Sequence, residues 1–207
     1  MPVLIHPTYF GSVSHYVAML NTDQILMEVD DNFQKQTNRN RMYIYSANGI
    51  QMLNIPIKSP ENGSKKFKDF LIENAFNWQK QHFKSLEAAY RTSPYFEYFE
   101  DDLRPVFEKK HKFMLDLNLQ VHDIISECLG VNLAYNKTEE YLKEVDSSIS
   151  DYRYLANGKI DINNFSTYTQ VFDDKHGFLN NLSILDLLFN EGRHAVDYLK
   201  QQTLIVK

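Results

Sequence analysis

His6, the paired carboxylates Asp30 and Asp31, and the cations Lys35, Arg39, Arg41 and Lys58 all fall at junctions between apolar runs near the front of the chain. A histidine beside a carboxylate can act as a general base, the carboxylate fixing the imidazole tautomer. The same trio of His6, Asp30 and Asp31 could coordinate a divalent metal, although its spacing matches no specific metal motif. Arginine offers a planar fork of donors, so Arg39 and Arg41, with Lys35 and Lys58, are candidates for holding phosphate. Two carboxylates followed by the run Asn38-Arg39-Asn40-Arg41 are a costly way to make a turn, which gives these junctions a claim to function.

Each candidate also has a purely structural reading. Asp30-Asp31-Asn32 is a good turn, charges that flank a hairpin are commonly solvated, and His6 can be a satisfied histidine at a sheet edge. Trp78 and His82 share one helix face and fit core and rim as well as they fit catalysis. Ser183 and Asp186 read as a helix cap, and Cys128, on an apolar stripe, reads as buried and inert. The sequence contains no Gly-rich phosphate loop, no GxSxG and no HExxH.

For these residues to act together, the elements must carry them to one place. Residues 3–6 read as a strand, Val13, Tyr16, Val17 and Leu20 as one face of a short helix, and residues 23–29 as a second strand. Strand, helix, strand implies a βαβ unit with parallel strands and a right-handed crossover. His6 and Asp30-Asp31 then share the carboxyl edge of the sheet, where open α/β sheets bind ligands. Next comes a hairpin with Asn48-Gly49 as a type I′ turn, so that Ala47 pairs with Ile50, Ile44 with Leu53 and Met42 with Ile55. Met42, Ile44, Leu53 and Ile55 form its buried face, and Arg39, Arg41, Tyr43 and Tyr45 the other.

A polar loop over 58–66 and a strand over 67–72 follow. The second half reads as helical: residues 77–92 up to Ser93-Pro94, and 112–130 with Gly130 as the stop. Residues 135–167 read as a short helix and surface loops, and a last helix starts at Ser183 with a stripe from Leu185 to Leu199. The expected fold is α/β, a mixed sheet with an N-terminal βαβ unit and a β-hairpin and the helical C-terminal half packed on it. One domain over residues 1–207 is expected.

A hydrophobic share of 43% is enough for a sizeable core, and a net charge of −5 argues against a general nucleic-acid binder, which needs a basic face. No apolar run is long enough to span a bilayer, and the first residues lack the pattern of a signal peptide. Cys128 is the single cysteine, which excludes an internal disulfide and a zinc–thiolate cluster. These features lead us to expect a cytoplasmic protein without a transmembrane segment. No pattern names a cofactor.

The segments "HPTYFGSVSHYVAML", "VDDNFQKQTNRNRMYI", "NGIQMLNIPIK", "NWQKQHFKSLEAAYRTSPYFEYF" and "GFLNNLSILDLLFNEG" resemble, in order, successive blocks of the WbqC-like proteins. That family is bacterial and often encoded with O-antigen and other surface-polysaccharide genes. The resemblance implies transfer of an acyl or aminoacyl (glycyl) group to an activated sugar or carrier-linked intermediate. His6 and Tyr9 match the family's opening His-Gln-Pro-x-Tyr, with the Gln missing. Asp30, Asp31, Lys35, Asn38, Arg39, Asn40, Lys58, Trp78 and His82 match in turn, with Gln81 where a Lys is common, and Ser183, Asp186 and Asn190 match the closing block.

On this reading His6 or His82 deprotonates the acceptor and Asp30 or Asp31 orients that histidine. Tyr9, Lys35, Asn38, Arg39, Arg41, Lys58 and Trp78 bind the small-molecule or carrier-linked substrate. Longer relatives carry a Tyr-Leu-Ser-Gly-like strand end, which the segment from Leu133 to Phe165 is read as lacking. Its loss would favour a rival reading, a non-catalytic module that binds phosphate or a nucleotide-sugar. A Rossmann-like nucleotide enzyme is a third, against which the missing glycine-rich loop counts.

Overall fold

The structure, a computed structural model, describes residues 1–205. Strand β1 (Val3–Ile5), helix α1 (Val13–Leu20) and strand β2 (Ile25–Met27) open the chain. A hairpin of β3 (Arg41–Ser46) and β4 (Gly49–Asn54) follows, then a small ladder of β5 (Ile57–Lys58) and β6 (Leu71–Ile72). Three helices come next, α2 (Trp78–Tyr90), α3 (Phe96–Glu108) and α4 (Met114–Leu129). Strands β7 (Tyr135–Lys137) and β8 (Ser150–Asp151) precede α5 (Asp173–His176), α6 (Ile184–Glu191) and α7 (Ala195–Gln201).

The apolar triplets Val-Leu-Ile and Ile-Leu-Met pair in parallel, Val3 with Ile25 and Ile5 with Met27. Nearly every side chain in them is buried, as befits strands covered on both faces. The sheet has four strands, all parallel, in the order β7-β2-β1-β8. The chain therefore steps outward from β1 through β2 to β7, then returns to lay β8 on the far side of β1. Such a reversal opens a crevice outside the carboxyl ends of the two strands at which the order switches, here β1 and β8. Helix α1 is buried along almost its whole length and packs against helices α6 and α7. Tyr16 and Val17 each contribute about 1.5–3 kcal/mol by leaving water.

The fold is thus α/β, with a parallel sheet, a hairpin and helices in the C-terminal half. Several expectations are corrected in detail. Residues 135–167 supply two sheet strands rather than a short helix and loops. Residues 67–72 hold a single 3₁₀ turn (Phe67–Asp69) before the two-residue β6. Phe96–Glu108 adds an amphipathic helix, with Phe96, Phe99, Leu103 and Val106 buried. The closing helix breaks at Gly192 into α6 and α7, with Ser183 capping α6 through a hydrogen bond from the Leu185 N–H. Helix α4 ends as expected on Gly130, at a left-handed φ of +66°.

The hairpin register also differs. Ser46 pairs with Gly49, Met42 with Leu53 and Ile44 with Gln51. Ala47 and Asn48 form the tip, and Gly49 alone takes positive φ, at +91°. That is the pattern of a turn followed by a left-handed glycine, not of a type I′ turn. The slip is two residues, so the faces do not change, and Met42, Ile44, Leu53 and Ile55 are all buried.

Candidate functional site

The crevice between β1 and β8 is a cleft of about 200 Å³, and His6, Asp31, Gln34, Tyr141, Arg153 and Asn157 are among its walls. Behind it lies Arg39, which is fully buried. One guanidinium nitrogen, Nη2, donates to His6 Nε2 at 2.6 Å and to Asp31 Oδ2 at 2.7 Å. An amino group with two hydrogens can serve both partners. His6 accepts at Nε2, so its proton sits on Nδ1, 3.5 Å from the Glu28 carbonyl oxygen. Burial, and then the Arg39 charge, hold the His6 pKa well below its ordinary value, so the ring is neutral. Burial raises the Asp31 carboxyl, with the Arg39 charge opposing it.

The triad leaves polar atoms unpaired. Asp31 Oδ1 and Arg39 Nε and Nη1 are buried without a hydrogen-bond partner among the described residues. The Arg39 guanidinium also lies over the Phe67 ring, 5.6 Å from its centroid.

Every strand of the parallel sheet contributes to this edge. After β2, the fully buried Glu28 accepts from the Thr138 hydroxyl at 2.9 Å and from the Asp30 N–H at 3.0 Å. Thr138 itself follows β7. After β8, Arg153 forks onto Asp151 at 2.9 and 2.7 Å, and its Nη1 stands 3.5 Å from Glu28 Oε2. Glu28 and Arg153 were not among the sequence candidates. The signal for Glu28 was a lone acid inside the apolar run Ile25-Leu26-Met27-Glu28-Val29, and Arg153 had no comparable signal.

The remaining candidates stand elsewhere. Asp30 turns away from the cleft to Lys66, at 2.8 Å, and to Lys68; the Lys66 hydrogen bond is the main cause of its lowered pKa. His82 is buried on α2, where Nδ1 is 3.0 Å from the Tyr9 hydroxyl, and the Tyr9 and Trp78 rings pack around it. Burial brings His82 down to about 4. Tyr9, Trp78 and His82 therefore form a core cluster and share no hydrogen bond with the His6 triad. Arg39, a candidate for holding phosphate, is fully buried, with its Nη2 engaged by His6 and Asp31.

Lys58 is exposed and 3.7 Å from Glu73. Lys35 and Arg41 line an open cavity of about 530 Å³, and Asn38 and Arg41 line another of about 300 Å³. Cys128 is half-buried, and burial pushes its thiol up to about 12, far from a reactive thiolate. No group of three or more His, Cys, Asp or Glu side chains placed to hold a metal ion occurs among the described residues. No described helix is long and apolar enough to cross a membrane.

Residues 6–155 match the WbqC-like protein family. The matched span begins at His6 and takes in β2, β7 and β8, while the block around Ser183 lies beyond it. It also bears on the strand end read as missing. Tyr154-Leu155-Ala156-Asn157-Gly158 follows β8 after two intervening residues, with Tyr154 and Leu155 inside the matched span, and Tyr154, Ala156 and Asn157 line the cleft. An uncharacterized protein of Mycobacterium tuberculosis, Rv1507c, is 26% identical over 226 residues, covering 95% of this chain and 96% of the relative. No solved structure matches the chain.

Proposed function

Because the chain belongs to the WbqC-like protein family, we propose that it is a cytoplasmic transferase that moves a small acyl or aminoacyl (glycyl) group onto an activated sugar or carrier-linked intermediate in surface-polysaccharide synthesis. One observation carries the reading: the unpaired Asp31 Oδ1, on a carboxylate whose other oxygen is fixed by Arg39, at the crevice between β1 and β8. A carboxyl raised by burial is a better proton acceptor than a solvated one. Asp31 is then the base, and neutral His6 is a positioning residue that holds Arg39 against it. This reverses the roles expected from the sequence.

In the reaction, the acceptor's amine or hydroxyl attacks the donor's carbonyl carbon while Asp31 Oδ1 takes its proton. A new C–N or C–O bond forms and the bond from the acyl carbon to its carrier breaks. The carrier leaves with that electron pair and recovers the proton from Asp31. Arg153 puts positive charge beside the developing oxyanion. A cleft of about 200 Å³ has room for an acyl group, below the range usual for drug-sized ligands, so the bulk of the acceptor lies outside it.

A second reading is a non-catalytic module that binds phosphate or a nucleotide-sugar. It is favoured by His6 Nε2 and Arg39 Nη2 being engaged with one another. The test is to incubate the purified protein with a pool of acyl and aminoacyl carriers and amino-sugar nucleotides and look for a mass gain on the sugar. We expect a product, and an Asp31→Asn rate lower by about 10²–10⁴-fold with substrate still bound. Absence of product with every donor leaves the binding module. Turnover unchanged in Asp31→Asn removes Asp31 as the base.

A further inference from the structure

We propose that a second cavity, separated from the Asp31 cleft by residues 156–161, binds a phosphorylated, hydroxyl-rich ligand of about monosaccharide size. Ala156, Asn157 and Ile160 line the cleft, whereas Gly158, Lys159 and Asp161 line this cavity of about 300 Å³. As the seat of the transfer acceptor the site rests on the transferase reading, but the binding does not.

Its central residue is Asn38. The Asn38 N–H donates to the Ala156 carbonyl at 2.7 Å, and its own carbonyl accepts from the Tyr9 N–H at 2.9 Å. The backbone is thereby fixed, and the side chain lines the cavity opposite Gly158. A methyl group on Gly158 would stand 3.9 Å from both Asn38 amide atoms. Asn38 is only 6% exposed, yet neither of those atoms has a hydrogen-bond partner among the described residues. A carboxamide at a cavity wall that makes no hydrogen bond to protein and whose donor and acceptor reach the cavity is matched by a ligand that offers both on neighbouring atoms, as adjacent hydroxyls do.

The rim carries charge of one sign that remains available. Arg41 is anchored by its Nε, 3.2 Å from Asn54 Oδ1, which leaves the two terminal nitrogens of its fork. Lys159 Nζ donates to Gln36 Oε1 at 3.1 Å across the mouth. The one carboxylate in the lining, Asp161, already accepts from the Ser14 hydroxyl and from Asn181 and Asn163, each at 2.7 Å for the two amides. The eight-residue helices α1 and α6 both start at this wall, with their N-caps Ser12 and Ser183 in the lining, and add positive potential. An anionic group is the complement, and the planar Arg41 fork suits phosphate.

The backbone is unusual at the same place. Phe10, Gln36 and Asn181, at φ of +44°, +63° and +57°, are the non-glycine residues with positive φ among the described residues, and all three line this cavity. The Ser183 hydroxyl donates to the Phe10 carbonyl at 2.8 Å and holds the first of them. Conformations of this kind persist where the surroundings fix them, and they gather at ligand sites. The volume lies at the low end for ligand pockets, which suits one sugar ring and a phosphate.

The test is calorimetric titration of the full chain with glucose 1-phosphate and N-acetylglucosamine 1-phosphate, with free glucose and inorganic phosphate as controls. At least one sugar phosphate should bind about tenfold or more tightly than either control. Arg41→Gln and Lys159→Gln, both changes at the rim, should weaken it by a similar factor, and Asn38→Ala should reduce the preference over inorganic phosphate. Asp31→Asn should leave the affinity unchanged. No binding of either sugar phosphate, equal binding of inorganic phosphate, or affinity indifferent to both rim variants overturns the site. Binding that follows these variants without turnover by any donor sinks the transferase alone.

Discussion

Arg39 joins the two halves of the site, because its Nη2 is the donor to both His6 and Asp31. Arg39→Ala leaves a buried carboxylate without its cation and a buried imidazole without its donor. Removing one partner of a buried pair costs about 3–5 kcal/mol, so we expect a loss of that size in urea unfolding. A loss below about 1 kcal/mol, the size expected of an exposed ion pair, would show Arg39 to be solvated. The residue types at the junctions were legible because charge at a strand end is conspicuous. What they do was not. Arg39 lies between Asn38 and Asn40 and reads as surface, and only the packing of Phe67 and the parallel sheet around it shows its burial. The direction of the His6 shift was hidden for the same reason: nearby carboxylates predict a raised pKa, whereas burial and Arg39 lower it.

At the scale of elements, β1, α1 and β2 were legible because three-residue apolar strands flank a helical stripe. Strands β7 and β8 were not, since Tyr-Asn-Lys and Ser-Asp carry no alternation and owe their conformation to the strands beside them. The hairpin shows a finer limit. Asn-Gly names a tight turn, but several turn types keep the same faces, and burial of Met42 and Leu53 does not separate them. Substitution does. Within the hairpin only Gly49 has positive φ, and a Cβ there meets nothing within 4 Å, so the cost of Gly49→Ala is backbone strain alone. We expect about 1–2 kcal/mol, or a fall of roughly 2–8 °C in melting temperature. Asn48→Ala should change the melting temperature far less. Equal losses at the two positions would restore the type I′ turn.

For the molecule as a whole, protonation of its interior is the sharpest test of the packing. His6, His15, His82 and His122 are all buried, after β1 and on α1, α2 and α4 respectively. Burial is the main cause of a lowered pKa in all four, with His15 and His82 brought to about 4. Each ring is neutral in the fold but takes a proton near pH 6.5 once unfolded, so the unfolded chain binds more protons below that value. Stability is therefore full above about pH 6.5 and falls as pH drops toward the folded pKa. For a ring at about 4 the loss reaches roughly 3 kcal/mol by pH 4, and two such rings compare with a typical total of about 5–15 kcal/mol. Asp31 and Asp186, raised by burial, work in the opposite sense as pH falls, gaining protons in the fold before they would in the unfolded chain. His82→Gln isolates the histidine contribution, because an amide keeps an acceptor for the Tyr9 hydroxyl and does not titrate. Urea unfolding midpoints measured from pH 7.5 to 4.5 should fall steadily below 6.5, and less steeply in His82→Gln. A midpoint that is flat across that range, or a variant whose slope equals that of the unaltered protein, would mean that these rings reach water in the folded state.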